Sequence, residues 1–362
     1  MSVSENGICS LTVERLQNLL SSAYISIIKN GRSFREIPSA MLWGAPGVGK
    51  SQCVREIARA IERGSGRRAV VTDVRLMLFN PVDLRGIPTA NADRTLAVWL
   101  KPEIFRMDED EGTVNILFLD EISAASPSVQ AAAYQITLDR KVGEHELPDN
   151  CIVIAAGNRV TDRSVAYSMP KALANRLCHF EIETDPHSWH DWAISAGIHK
   201  YVVGYLEYNT AALMKFDPSA SETAFPTPRS WEMVSNILNG VSDDVNTVFP
   251  MIAGSVGYSA ASGLISWAEI YAGIPSVTDI FAGEDVDFPF EKEHQIALRS
   301  AMVEYARKNP DRESIDNSIE YACRYPWQFR KALLHDYSMI PEVRPVLESI
   351  ETYADSITYM GQ

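Results

Sequence analysis

The chain has 362 residues, 46% apolar and 22% charged, with a net charge of −14. That length allows two or three domains with their own cores, and the acidic balance argues against broad phosphate-backbone binding, which needs clustered Lys and Arg. Five scattered cysteines (Cys9, Cys53, Cys151, Cys178, Cys323) exclude a zinc ribbon or dithiol motif and suit a reducing cytosol. No basic segment followed by an apolar one opens the chain, so no signal peptide is expected.

Ser10 can cap a helix running to about Lys29, with Leu16, Leu19, Leu20, Ala23 and Ile27 on one face. Short apolar strands then alternate with helices. Strands are expected at 40–43, 69–74, 115–119, 151–155 and 179–182, and helices at 50–62, 126–138 and 170–176. The basic run 63–68 reads as a solvated turn. Alternation of this kind predicts an α/β fold, a five-stranded parallel sheet between helices. Beyond residue 186 the strand signals stop. Helices are expected at 189–196, 201–214, 229–238, 244–253, 259–271 and 291–308, with loops at 217–228 and 273–289 and a further helical part at 311–362. The uncharged stretch between Asp244 and Glu269 contains Pro250 and many small residues, so it predicts a buried helix pair and no membrane span.

The chemistry begins at Gly44-Ala45-Pro46-Gly47-Val48-Gly49-Lys50-Ser51, followed by Gln52. This is G-x-x-x-x-G-K-S, with a strand before it and a helix after it. Glycines let backbone N–H groups converge on phosphate oxygens, and the helix N-terminus adds its dipole. Lys50 is suited to the β- and γ-phosphates of ATP and the Ser51 hydroxyl to Mg2+. The run Ile116-Leu117-Phe118-Leu119-Asp120-Glu121 delivers two carboxylates at a strand end, where ligands of open parallel sheets sit. Asp120 would hold the metal and Glu121 would deprotonate the attacking water. Asn158 ends the strand beside it, where an amide could touch the γ-phosphate.

Taken together these residues resemble an AAA+ ATPase, and specifically the MoxR and midasin/dynein-type branch, over roughly residues 37–238. The resemblance implies an AAA+ P-loop NTPase core at 1–186, an α-helical lid at 187–244 and a C-terminal helical region at 245–362. Within the core, Asn80-Pro81-Val82-Asp83-Leu84-Arg85-Gly86 is similar to the segment opening that branch's helix-2 insertion, here about 83–106. Residues 141–148 match its pre-sensor-1 hairpin. Asn158 then reads as sensor 1, Arg176 in Ala172-Leu173-Ala174-Asn175-Arg176-Leu177 as the arginine finger, and Arg229 after Thr227-Pro228 as sensor 2. Arg159 and Arg163 are rivals for the finger, and the alternative for Arg176 is a surface pairing with Glu181 or Glu183. Two departures, Arg159 after the Asn and Leu138-Asp139-Arg140-Lys141 before the hairpin, remove no ligand for phosphate or metal.

The resemblance implies an ATP hydrolase working in the cytoplasm as a ring, expected to be hexameric. It would remodel or mature a protein client beside a von Willebrand factor A-type partner. Two other functions compete. One is a motor subunit in nucleic-acid processing or antiviral defence, against which the acidic charge counts. The other is a nucleotide-dependent scaffold, against which the Asp120–Glu121 pair counts. His187 and His190 share a possible helix face, with no Glu or Cys at a metal spacing, so no zinc site is expected.

Overall fold

The computed structural model describes residues 2–3, 7–162, 167, 169 and 171–350. The chain divides into two compact units that part between Thr184 and Asp185, with Asp217–Ala220 grouped with the first.

In chain order the first unit contains β1 (Ser2–Val3), β2 (Cys9–Thr12), α1 (Val13–Lys29), β3 (Ala40–Trp43), α2 (Lys50–Ser65), β4 (Arg68–Arg75) and α3 (Pro81–Arg85). Then come β5 (Ile87–Ala90), β6 (Ala97–Leu100), β7 (Thr113–Asp120), α4 (Pro127–Asp139), β8 (Lys141–Val142) and β9 (His145–Glu146). It closes with β10 (Cys151–Gly157), α5 (Lys171–Ala174) and β11 (Cys178–Glu183). The sheet runs β1-β2-β11-β3-β10-β7-β4. All its pairings are parallel except β1 with β2. The doubly covered strands read as unbroken apolar runs: β10 is buried throughout, and β7 is buried up to Asp120. On the edge strand β4 several positions are exposed.

The expected five-stranded sheet therefore has a sixth parallel strand. Cys9–Thr12 lies beside β11, with Cys9 opposite Phe180. Ser10 is a buried strand residue; the cap of α1 is Thr12, whose hydroxyl accepts the Arg15 N–H at 3.3 Å. Helix α1 packs beside α2; α1 buries Leu16, Leu20, Tyr24 and Ile27, and α2 buries Val54, Ile57 and Ile61. The segment after α3 forms a separate two-stranded ribbon of β5 and β6, and 141–146 forms the short hairpin of β8 and β9. The helix expected at 170–176 is the single turn α5; Pro170 lies outside the described residues.

The second unit is helical among its described residues: α6 (Pro186–Ala196), α7 (Lys200–Tyr208), α8 (Pro228–Gly240), α9 (Phe249–Val256) and α10 (Tyr258–Ile270). It continues with α11 (Val277–Phe281), α12 (Lys292–Lys308), α13 (Arg312–Cys323), α14 (Trp327–Met339) and α15 (Arg344–Leu347). One hydrophobic core runs through it from Trp189 to Ile350, with Trp231, Trp267 and Tyr337 fully buried. Segments on both sides of residue 244 share that core. Two expected helices differ. The one at 201–214 stops at Tyr208 and gives way to a 3-10 turn, Thr210–Ala212. The one at 244–253 starts only at Phe249. Asp244 instead closes a turn, accepting the Asn246 N–H at 3.1 Å and the Thr247 hydroxyl at 2.6 Å, and Pro250 takes the first helical turn. Helices α9 and α10 are half-buried rather than buried, with Met251 and Tyr258 exposed. No helix among the described residues is long and apolar enough to cross a membrane.

Candidate active site

Parallel pairing brings the C-terminal ends of β3, β10 and β7 together. Gly157 lies opposite Trp43, and Ala155 opposite Leu119, so the loops starting at Gly44, Glu121 and Asn158 leave the sheet side by side. That common edge is where an open parallel sheet binds ligands.

Gly44–Gly49 makes a tight loop into α2. Gly47 has φ 79° and Gly49 φ 102°, both in the left-handed region that side chains disfavour. Gly49 caps α2 without a side-chain bond, so the first N–H groups of this long helix face outward from its positive end. Lys50 Nζ donates to the carbonyls of Gly44 (2.7 Å) and Ala45 (3.1 Å) and to Asn158 Oδ1 (2.8 Å). Ser51 Oγ donates to Asp120 Oδ2 at 3.0 Å. Four of the residues picked from three separate motifs thus meet within hydrogen-bond distance. Gln52 points elsewhere, its amide donating to Glu56 Oε1 at 2.9 Å.

Glu121 turns the chain off β7. It adopts φ 57° and ψ 33°, and its N–H donates to Asp120 Oδ1 at 2.8 Å. Asp120 is thereby fixed through both oxygens, one to Ser51 and one to the Glu121 backbone. Ser123, which sequence reasoning missed, accepts the Asn158 N–H on its hydroxyl at 3.0 Å. The neighbouring Gly157 is required by that contact, since a Cβ there would lie 2.8 Å from Ser123 Oγ. A second missed residue is Asp73 on β4. Arg75 pairs across the sheet with Asp120, so Asp73, two positions earlier, shares Asp120's face. Asp73 is exposed, and partial desolvation together with the charge of Asp120 raises its carboxyl pKa against Arg75 and Arg55.

Arg159 is committed within its own unit. Its guanidinium pairs with Asp162 at 2.9 Å and with Glu181 at 2.5 Å, and both carboxylates are buried. Burial works against the Arg159 cation, but the bonds to Asp162 and Glu181 prevail and raise its pKa. The partner of Glu181 is thus Arg159 and not Arg176. Arg176 is exposed and has no ion-pair partner among the described residues. Arg163 lies outside the described residues. Arg229, in the other unit, is exposed in the first turn of α8, where Thr227 and Ser230 form a capping box.

A glycine loop into a helix, a lysine at its start and a serine–aspartate pair beside it define a P-loop nucleoside triphosphatase. Residues 39–179 match the model of the ATPase family associated with various cellular activities (AAA). That stretch is an AAA-family ATPase domain, and its reaction is ATP hydrolysis. No curated protein matches the chain. Among solved structures the chain is similar to PCH-2 of C. elegans, at 12% identity over 70% of this chain and 67% of that one, TM-score 0.36. A mutant of Thermotoga maritima RuvB aligns at 14% identity over 94% and 88%, TM-score 0.35. NtrX from Brucella abortus aligns at 13% over 87% and 67%, TM-score 0.36.

Proposed function

We propose that this chain is a MoxR-type AAA+ ATPase that assembles as a ring, with six subunits as the expected number, and uses ATP turnover to remodel a partner protein in the cytoplasm. The observation that carries the reading is the convergence of Lys50 with Asn158 and of Ser51 with Asp120 at one sheet edge. ATP would exchange the carbonyl contacts of Lys50 for charge-assisted bonds from the ammonium to its β- and γ-phosphate oxygens. The outward N–H groups of α2 would take further phosphate oxygens.

The hydroxyl and carboxylate at 3.0 Å form a hard-oxygen donor set that suits Mg2+. Ser51 and Asp120 would hold it, and the ion when bound with nucleotide would neutralise charge on the phosphates. Glu121 accepts the proton of the attacking water; the water oxygen bonds to the γ-phosphorus as the bond to ADP breaks. Asn158 orients that water. Arg176, exposed and without an ion-pair partner among the described residues, would stabilise the transferring phosphoryl of a neighbouring subunit, an effect worth about 10³ to 10⁵ in rate. Arg229 would serve as sensor 2. The β5–β6 ribbon and the β8–β9 hairpin are the surfaces expected to meet the client, and a von Willebrand factor A-type protein is the expected partner.

Glu121→Gln tests the chemistry. The variant should bind ATP like the parent, lose turnover by about 10²-fold or more, and persist as an oligomer in light scattering with ATP. Unchanged turnover would remove Glu121 from the base role, and a monomer under every condition would remove the ring.

A further inference from the structure

Single exposed apolar side chains are ordinary on protein surfaces. Phe290 is unusual in how its backbone is held. It lies in the turn between α11 and α12 and is 95% exposed. Every residue leading to it is fixed. Asp285 pairs with Arg324 at 3.2 Å. The carbonyls of Val286 and Asp287 accept the hydroxyls of Tyr325 (3.0 Å) and Tyr321 (3.3 Å). The Phe288 ring stacks on Tyr325 with centroids 4.5 Å apart and meets Phe329 edge-on at 5.0 Å. Gln295 Nε2 then donates to the carbonyls of Pro289 (3.0 Å) and Phe290 (3.3 Å). Two phenylalanines flank one proline, and the first is anchored inward while the second stands in water.

We infer that Phe290 is a preorganised anchor for a protein partner that offers an apolar pocket rimmed by Lys and Arg. Holding the loop in advance removes the ordering cost of binding, and a lone aromatic entering a pocket is the usual centre of an interface. The rim chemistry follows from charge. Glu284, Asp285, Asp287, Glu291 and Glu293 flank Phe290 along the chain, where Lys292 is the only lysine or arginine between residues 284 and 293; Arg324, paired with Asp285 at 3.2 Å, offsets one of the five. A surface of that sign favours a basic partner in encounter and in register. A second copy presenting the same acidic loop would be repelled at this surface, whatever other faces the copies share. The inference does not depend on the ATPase mechanism.

The experiment replaces Phe290 in the full chain with photoreactive benzoylphenylalanine, expresses it in its native cells and irradiates them, with the same substitution at exposed Tyr258 as control. A discrete adduct is expected at position 290 and not at 258, with the cross-linked residue in an apolar segment flanked by Lys or Arg. The identified protein, purified, should bind the unmodified chain and bind Phe290→Ser at least about tenfold more weakly, with affinity falling as salt is raised. Phe290→Ser should keep the parent's ATP turnover and melting temperature, because the side chain packs on nothing. An adduct between two copies of this chain, an adduct on an acidic surface, no adduct, or a partner indifferent to Phe290→Ser would overturn the inference.

Discussion

Glu121 occupies the left-handed region at φ 57°, where a residue with a Cβ is strained by about 1 kcal/mol or more. That conformation ends β7 at Asp120, whose carboxylate accepts from Ser51, and turns the chain off the strand at Glu121. That division could be read in advance, because Lys50, Ser51, Asp120, Glu121 and Asn158 sit in motifs whose spacing states the geometry. Ser123 and Asp73 could not be read. Neither belongs to a motif, and each acquires its place only through the neighbouring strand. Ser123 makes a prediction. Ser123→Ala leaves the Asn158 N–H without its acceptor, a loss of about 1 kcal/mol in positioning. Turnover should fall about fivefold, while binding of a fluorescent ATP analogue, read by titration, stays unchanged. The same fate for Glu181 shows why the arginines were ambiguous. Three arginines near one carboxylate are equivalent in sequence, and only the path of the chain gives Glu181 to Arg159.

Among the elements, α7 carries a pH-dependent contribution. Its cap is His199, which is buried; its Nδ1 accepts the Tyr201 N–H at 3.2 Å, and the His199 backbone N–H donates to Ser235 Oγ at 2.9 Å. Protonation would destroy that acceptor inside a poorly solvated site, and burial lowers its pKa from 6.5 to about 4. Between those values the unfolded chain binds a proton that the folded chain refuses. Stability is therefore full above pH 6.5 and falls as the pH drops toward 4, by at most about 3 kcal/mol. His199→Asn keeps a capping acceptor that does not titrate. The stability difference between parent and variant, from urea titrations at several pH values, should shrink in the variant's favour across that window. Tryptophan fluorescence is a suitable probe, because five of the seven tryptophans (Trp189, Trp192, Trp231, Trp267, Trp327) lie in this unit.

The elements hardest to read were those with competing local signals. Cys9–Thr12 runs straight into a helix and offers two capping hydroxyls, Ser10 and Thr12. Thr12, the one next to the helix, is the cap, and Ser10 lies within the strand opposite Glu181 of β11. Asp244 looked like a helix start, and Pro250 was the better marker.

The molecule as a whole is expected to be incomplete on its own. Arg176 has no ion-pair partner among the described residues, and a finger used by a neighbour must act only in the assembly. Arg176→Ala alone should lose hydrolysis, as should Lys50→Ala alone. Mixed in equal amounts, the two should regain measurable turnover in a phosphate-release assay, because some sites then combine an intact P-loop with an intact Arg176. Absence of recovery would point to Arg163 or another group.

The sixth parallel strand bears on how the first unit comes to be made. Cys9 is paired with Phe180, and α1, which follows directly, packs on α2. During synthesis at about 5–20 residues per second, β2 must wait, paired at most with the short β1, until β11 has left the ribosome. An early-made strand with a late-made partner is a slow, non-local closure. It also leaves β11 as a bare edge if the opening strand is absent, and bare edges seek other chains. Shortening the chain at its start would therefore remove little mass and yet expose the sheet to aggregation.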